Sequence, residues 1–163
     1  MHVGRRTLLS QLCIVFLSLI LLPSLLFSQD SLKIQLNIFL DEWHAAAARA
    51  DIASYFDKID EAGIYIGTDA TEYWTKQAFY DWSKPYFDKG KAWTFKALER
   101  NIYLSDDGTT AWFDEKLQAS YGMLRGSGIL ILKKEGWKIM QYVLSLPVPN
   151  DRFKEVLEVI KPG

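Results

Sequence analysis

The chain is poor in the residues that most often carry metal and nucleophile chemistry. It has one cysteine and two histidines in 163 residues, and both Cys13 and His2 lie in the first 28. Beyond that point no cysteine remains, which excludes a disulfide, a thiolate metal site and a cysteine nucleophile there. The remaining histidine, His44, excludes the usual multi-histidine zinc centres, so no metal site is expected. A Ser-His-Asp triad would have to use His44, and no Gly-x-Ser-x-Gly elbow accompanies it. His44 stands in "DEWHAAAARA" and reads as a solvated helical histidine. No Walker or dinucleotide-binding glycine pattern is present, so no cofactor is expected. An excess of positive charge is also missing: 19 basic residues face 20 acidic ones. That offers no electrostatic footprint for nucleic acid.

What the sequence does have begins with a targeting segment. Arg5 and Arg6 precede the apolar run "TLLSQLCIVFLSLILLPSLLF", which Pro23 and Ser24 interrupt, and "FSQD" follows. This pattern predicts a secretory signal peptide over residues 1–28 and export to the periplasm or the medium. Cleavage after Ser28 would leave residues 29–163 as a single domain with a net charge of −3, because the two arginines leave with the segment. Left uncleaved, the same segment would be the chain's one membrane contact. Aromatic content is high, at 14% with 6 tryptophans. A dense aromatic core and a small-molecule cavity both fit that figure.

Periodicity divides the rest. Residues 30–50 place Leu32, Leu36, Phe39, Leu40, Trp43 and Ala47 on one helical stripe. A short helix follows from Asp51 to Ile59, and "IYIG" reads as a strand. Asp69 and Glu72 form a capping-box pattern for a third helix, which Pro85 is expected to divide with Ser83 as the second cap. From residue 91 the period shifts to two. Four strands, 92–105, 109–120, 123–134 and 137–148, are joined by short turns, and a last helix begins near Asn150. The order implies an α+β domain with helices on one face of a curved antiparallel sheet.

The strand "TTAWFDEKLQAS" carries a carboxylate, Glu115, on its otherwise apolar face. An Asp107-Gly108 turn pairs Leu104 with Ala111, Ile102 with Phe113, Arg100 with Glu115 and Leu98 with Leu117. A hairpin centred near Ser120 then pairs Leu117 with Met123, Glu115 with Arg125 and Phe113 with Ser127. Glu115 would sit between two arginines, as a structural ladder or as a pocket wall with surplus positive charge for an anionic ligand group. Two flanking cations would depress its pKa, which suits a proton-transfer base poorly. Gly126 and Gly128 of "RGSG" are expected to mark a bend or bulge. A turn at Glu135-Gly136 would send Met140, Tyr142 and Leu144 inward. One bulge residue there would instead send Ile139, Gln141, Val143 and Ser145.

The stretch "GWKIMQYVLSLPVPN", with "AWFDEKL" and "RGSGILILKKEGWKI" before it, resembles the SnoaL-like family of the nuclear transport factor two-like superfamily. The resemblance covers residues 31–147. It implies a cone-shaped, cystatin-like or ketosteroid isomerase-like fold, in which helices close over a strongly curved antiparallel sheet around a pocket. The resemblance implies either small-molecule binding without catalysis, or an acid–base isomerase, cyclase or lyase working in the cone. Many relatives carry histidines on the last strand, where this chain has Gln141 and Val143. The candidate ligand-binding residues are Arg100, Glu115, Arg125, Gln141 and Tyr55, with Trp74 and Trp112 as further lining groups. Relatives often dimerise through the outer sheet face, so a homodimer or assembly module using Trp93, Tyr103 and Trp112 is the third expectation.

Overall fold

A computed structural model describes residues 29–161. The expected signal segment, residues 1–28, lies outside them. The chain divides into two units, Met1–Leu36 and Asn37–Gly163. Of the first, the described residues 29–36 are helical. Among the described residues no helix is long and apolar enough to cross a membrane.

The second unit opens with helix α1, residues 37–48. Leu40, Trp43, His44, Ala46 and Ala47 form its buried stripe. The helix ends on Ala50 in the left-handed conformation (φ 57°). There the amide of Asp51 donates to the carbonyl of Ala46 and that of Ala50 to Ala47, the two bonds of a Schellman cap. Asp51 then caps α2 (Ile52–Asp57) by accepting from the Ser54 amide. Strand β1 (Ile59–Ile66) follows, then β2 (Tyr73–Thr75), α3 (Lys76–Asp88), β3 (Lys96–Leu104), β4 (Thr110–Ala119), β5 (Gly122–Lys133) and β6 (Gly136–Ser145). A 3₁₀ turn, Asn150–Arg152, leads into α4 (Phe153–Val159).

The six strands form one open sheet in the order β2-β1-β6-β5-β4-β3. The expected meander β3–β6 is antiparallel throughout. The sheet is wider than expected, because β1 joins β6 in parallel and β2 pairs with β1. The fold is α+β, as predicted. Fully buried Leu40, Leu117, Leu124, Leu130 and Phe79 anchor its core, each contributing roughly 1.5–3 kcal/mol.

Three local expectations give way. Helix α3 begins at Lys76 rather than near Asp69, with Thr75 Oγ1 accepting from the Ala78 amide as its cap. The Asp69–Glu72 pair instead closes a loop: Asp69 accepts from the Thr71 amide, and Glu72 accepts from the Asp69 amide. Tyr73–Thr75 are thereby free to extend along β1. Pro85 does not divide α3, and Ser83 is no cap; it is fully buried and donates to the Tyr80 carbonyl one turn back.

Candidate functional site

Strand alternation delivers the carboxylate to the interior. Ala111, Phe113, Glu115, Leu117 and Ala119 all face the core, and Glu115 is 1% exposed. The predicted β3–β4 register holds from Leu104↔Ala111 to Arg100↔Glu115. It holds for Glu99↔Lys116 as well and fails at the next pair. A bulge between Ala97 and Glu99 puts Ala97, not Leu98, opposite Leu117, and Leu98 stands 53% exposed.

The second predicted neighbour is wrong. Ser120 and Tyr121 make a two-residue turn that pairs Ala119 with Gly122, so Leu117 faces Leu124 and Glu115 faces Gly126. This is one residue away from a hairpin centred on Ser120. Because side chains alternate with a period of two, the shift carries Arg125 to the opposite, exposed face beside Lys116. Gly126 and Gly128 mark no bulge in the β4–β5 pairing. A side chain at 126 would overlap the Tyr142 hydroxyl, and one at 128 the Phe113 ring.

The groups that do reach Glu115 come from three elements. Arg100 Nε donates to Oε2 at 2.8 Å. The Tyr142 hydroxyl donates to Oε1 at 2.9 Å, and His44 Nε2 stands 2.8 Å from the same oxygen. An ionised carboxylate only accepts, so His44 Nε2 carries the hydrogen. Arg100 continues outward through Nη1 to the backbone and side-chain oxygens of Asn37 and to Asp41 Oδ1. Burial raises the Glu115 pKa, but the hydrogen bonds and charges of His44 and Arg100 outweigh it and hold the carboxyl below its ordinary range. Burial, with the charge of Glu115 behind it, pushes the Tyr142 phenol well up. The chain Asp41–Arg100–Glu115 has two acids for one arginine, so the surplus positive charge expected here does not exist.

His44 is therefore not solvated. It is 4% exposed and bonded to the central carboxylate. The signal was in the sequence: His44 follows Leu40 by four residues and shares its face. Tyr142 had only the unsettled facing of β6 to indicate it. That strand follows neither expected pattern, because a bulge at Met140 lets Ile139 and Tyr142 both point inward. Gln141 consequently pairs with Ile129 and borders a shallow outer depression with Ile64 and Met140. Tyr55 is buried in the core, stacked on Trp43 at 5.0 Å between centroids. The structure thus joins Arg100 and Glu115, keeps Tyr55 among nearby aromatics, and separates Arg125 and Gln141 from all three.

Around Glu115 the space is filled by rings. Trp43 meets Tyr142 edge-on at 4.8 Å, and Phe113 and Tyr65 lie 6.1 and 5.5 Å from it. Open space appears elsewhere. A cavity of about 140 Å³ lies between β1, the loop before β2, α3 and the connection into β3. Phe79 and Tyr65 form its buried floor, Trp74, Trp82 and Trp93 its walls, and Glu72 stands at its edge. Trp74 was an expected lining group. Trp93 was expected on the outer face; it lies 5.7 Å from Phe79 in a stacked arrangement and lines this cavity instead. Among the described residues no three His, Cys, Asp or Glu side chains converge as a metal site requires.

The SnoaL-like domain family matches residues 36–149. Solved structures share the fold. An NTF2-like protein of unknown function from Pseudomonas putida is 11% identical, covering 72% of this chain and 87% of its own, with a TM-score of 0.60. The association domain of C. elegans CaMKII is 14% identical over 73% of this chain and 98% of its own, also at 0.60. A protein of unknown function with a cystatin-like fold from Nostoc punctiforme is 9% identical over 71% and 90%, at 0.57. At such identities the likeness concerns the fold alone. No curated protein matches the chain at a significant level.

Proposed function

The chain belongs to the SnoaL-like domain family, and we propose that it is an exported protein that binds a small, largely apolar molecule in the aromatic cavity between β1, α3 and the connection into β3. One contrast carries this reading. The buried carboxylate that first suggests chemistry is fully engaged by His44, Tyr142 and Arg100, whereas the aromatic cavity is open space bordered by aromatic side chains and one carboxylate that, among the described residues, forms no ion pair. Glu115 in this reading is structural, and it shapes the core on which the cavity floor rests. Native mass spectrometry of the protein purified without denaturation should show a non-covalent adduct, and Trp82→Ala should abolish it. Failure to find any adduct, together with unchanged tryptophan fluorescence across a library of small aromatic and apolar compounds, would remove the reading.

An acid–base reading has one observation in its favour. Glu72 borders the cavity with no arginine among the lining groups, which places a carboxylate, without a cationic partner among the described residues, where a bound carbon acid would meet it. Solvent deuterium exchange into a small enolisable ketone, abolished by Glu72→Gln, would establish it; exchange no faster than in buffer would exclude it for that class.

A self-association reading rests on the outer face of the sheet. Tyr103 and Trp112 stack at 5.8 Å while each remains nearly half exposed, a patch that a second copy could cover. A dimer mass in light scattering that falls to the monomer in Trp112→Glu would support it; a monomer at all concentrations would end it.

A further inference from the structure

The aromatic cavity has a charge character that a purely apolar ligand does not match. Its lining is aromatic: Trp74, Phe79, Trp82 and Trp93 all border it, and they pack as one cluster, Trp74 and Trp82 5.7 Å apart at 30° and Phe79 and Trp82 6.1 Å apart at 18°. Ring faces carry the negative end of the ring quadrupole. The one ionisable group with a full negative charge at the edge is Glu72, and no lysine or arginine lines the space. Among the described residues Glu72 forms no ion pair, and the cation–π contact of Lys58 is with Phe39, outside the cavity.

Glu72 is also held in place. Its Oε2 accepts the Asp69 amide at 3.2 Å, and its side chain lies so close against Gly67 that any side chain at 67 would overlap the carboxylate. Its charge is felt across the cavity: after burial, it is the next cause that raises the phenol pKa of both Tyr65 and Tyr121. A neutral ligand would cover the rings but leave this carboxylate beside apolar surface with a single amide as its partner and no countercharge, which is unfavourable. A cation satisfies rings and carboxylate together. At about 140 Å³ the space is below the roughly 300–1,000 Å³ of pockets that enclose drug-sized ligands, so it suits a compact headgroup.

We propose that the cavity formed by Trp74, Phe79, Trp82 and Trp93 with Glu72 is an aromatic cage for a compact alkylammonium cation. This rests on the cavity being the ligand site and adds the class of ligand. The test compares choline with its neutral carbon isostere, 3,3-dimethylbutan-1-ol, by calorimetry and tryptophan fluorescence on the full chain. Choline should bind at least about tenfold more tightly than the isostere. Glu72→Gln should weaken choline about tenfold and leave the isostere unchanged. Trp82→Ala should weaken both; Trp82 is 40% exposed, so the fold should survive its loss. If the isostere binds as well as choline, or Glu72→Gln leaves choline unaffected, the charge inference is overturned while the cavity stays a ligand site. If neither compound binds, the cage is overturned, and the adduct experiment decides separately whether the cavity holds anything. The comparison of the two compounds on the unaltered protein needs no variant to fold.

Discussion

The Tyr142 hydroxyl occupies the space that a side chain at Gly126 would fill. Gly126 lies directly across from Glu115 on the next strand, and the phenol reaches over it to the carboxylate. A methyl group at 126 would have to displace the hydroxyl or the carboxylate oxygen beside it. Gly126→Ala should therefore destabilise the protein by about 1–3 kcal/mol. Tyr142→Phe vacates the hydroxyl position at the cost of one hydrogen bond to a charged group, about 1.5–3 kcal/mol. In that background Gly126→Ala should cost less than in the parent. Urea melts of the two single variants and the double variant measure the coupling, and strict additivity would show that the hydroxyl is not what excludes a side chain at 126.

The carboxylate gives a pH signature. Its folded pKa is depressed below the ordinary 4.5, because His44 and Arg100 together outweigh burial. Such a group adds stability that is complete above the unfolded pKa and is lost as pH falls through the folded one. Glu115→Gln should cost about 3 kcal/mol at neutral pH, since it removes the buried countercharge of Arg100 and leaves the exposed Asp41 as its one acid. The gap between parent and variant should narrow steadily below pH 4.5. The difference between the two proteins is the quantity to follow, because exposed acids such as Asp107, held down to about 2 by Ser105 and Thr109, titrate in both. A gap independent of pH between 7 and 3 would show that the fold does not shift the pKa of this carboxyl.

Ala50 offers a gain. It holds φ at 57° to complete the Schellman cap of α1, a conformation in which Cβ is strained and glycine is not. Ala50→Gly should stabilise the protein by up to about 1 kcal/mol, net of the extra freedom glycine has when unfolded. Thermal melts should show a rise, and a fall would mean that the methyl group packs usefully there.

Two side chains expected in the core stand in water. Leu98 is expelled by the bulge in β3, and Arg125 points away from Glu115. Leu98→Lys and Arg125→Ala should each alter stability by no more than about 0.5 kcal/mol. A large loss in Arg125→Ala would restore the two-arginine ladder.

Much of this architecture could be read from residue patterns. The alternation of Ala111, Phe113, Glu115 and Leu117 located the buried face of β4, and Asp107-Gly108 fixed its partner strand as far as Arg100. The errors within the strands arise where one residue changes the count. The Ser120-Tyr121 turn, the bulge at Leu98 and the bulge at Met140 each reverse which residues face inward, and no local composition marks them. Arg125 and Gln141 were misplaced for that reason. His44 was misjudged on composition, because its alanine-rich surroundings suggested an exposed helix although its spacing from Leu40 did not. The cavity is built from residues scattered from Tyr65 to Leu144, and a grouping of that kind follows from tertiary packing rather than from any short motif.

The bulge at Met140 also sets a rule about length. Ile139 pairs with Leu130 and Tyr142 with Gly128, so the spare residue between them is what lets both face the core. A chain lacking Met140 would pair Ile139 and Gln141 with the same consecutive residues of β5 and keep Tyr142 inward with no bulge at all. A chain that keeps Met140 but pairs it in regular alternation would instead send Ile139 and Tyr142 to opposite faces, leaving Glu115 with two donors instead of three. A relative therefore presents the phenol to the core only where the length of this strand and its bulge agree.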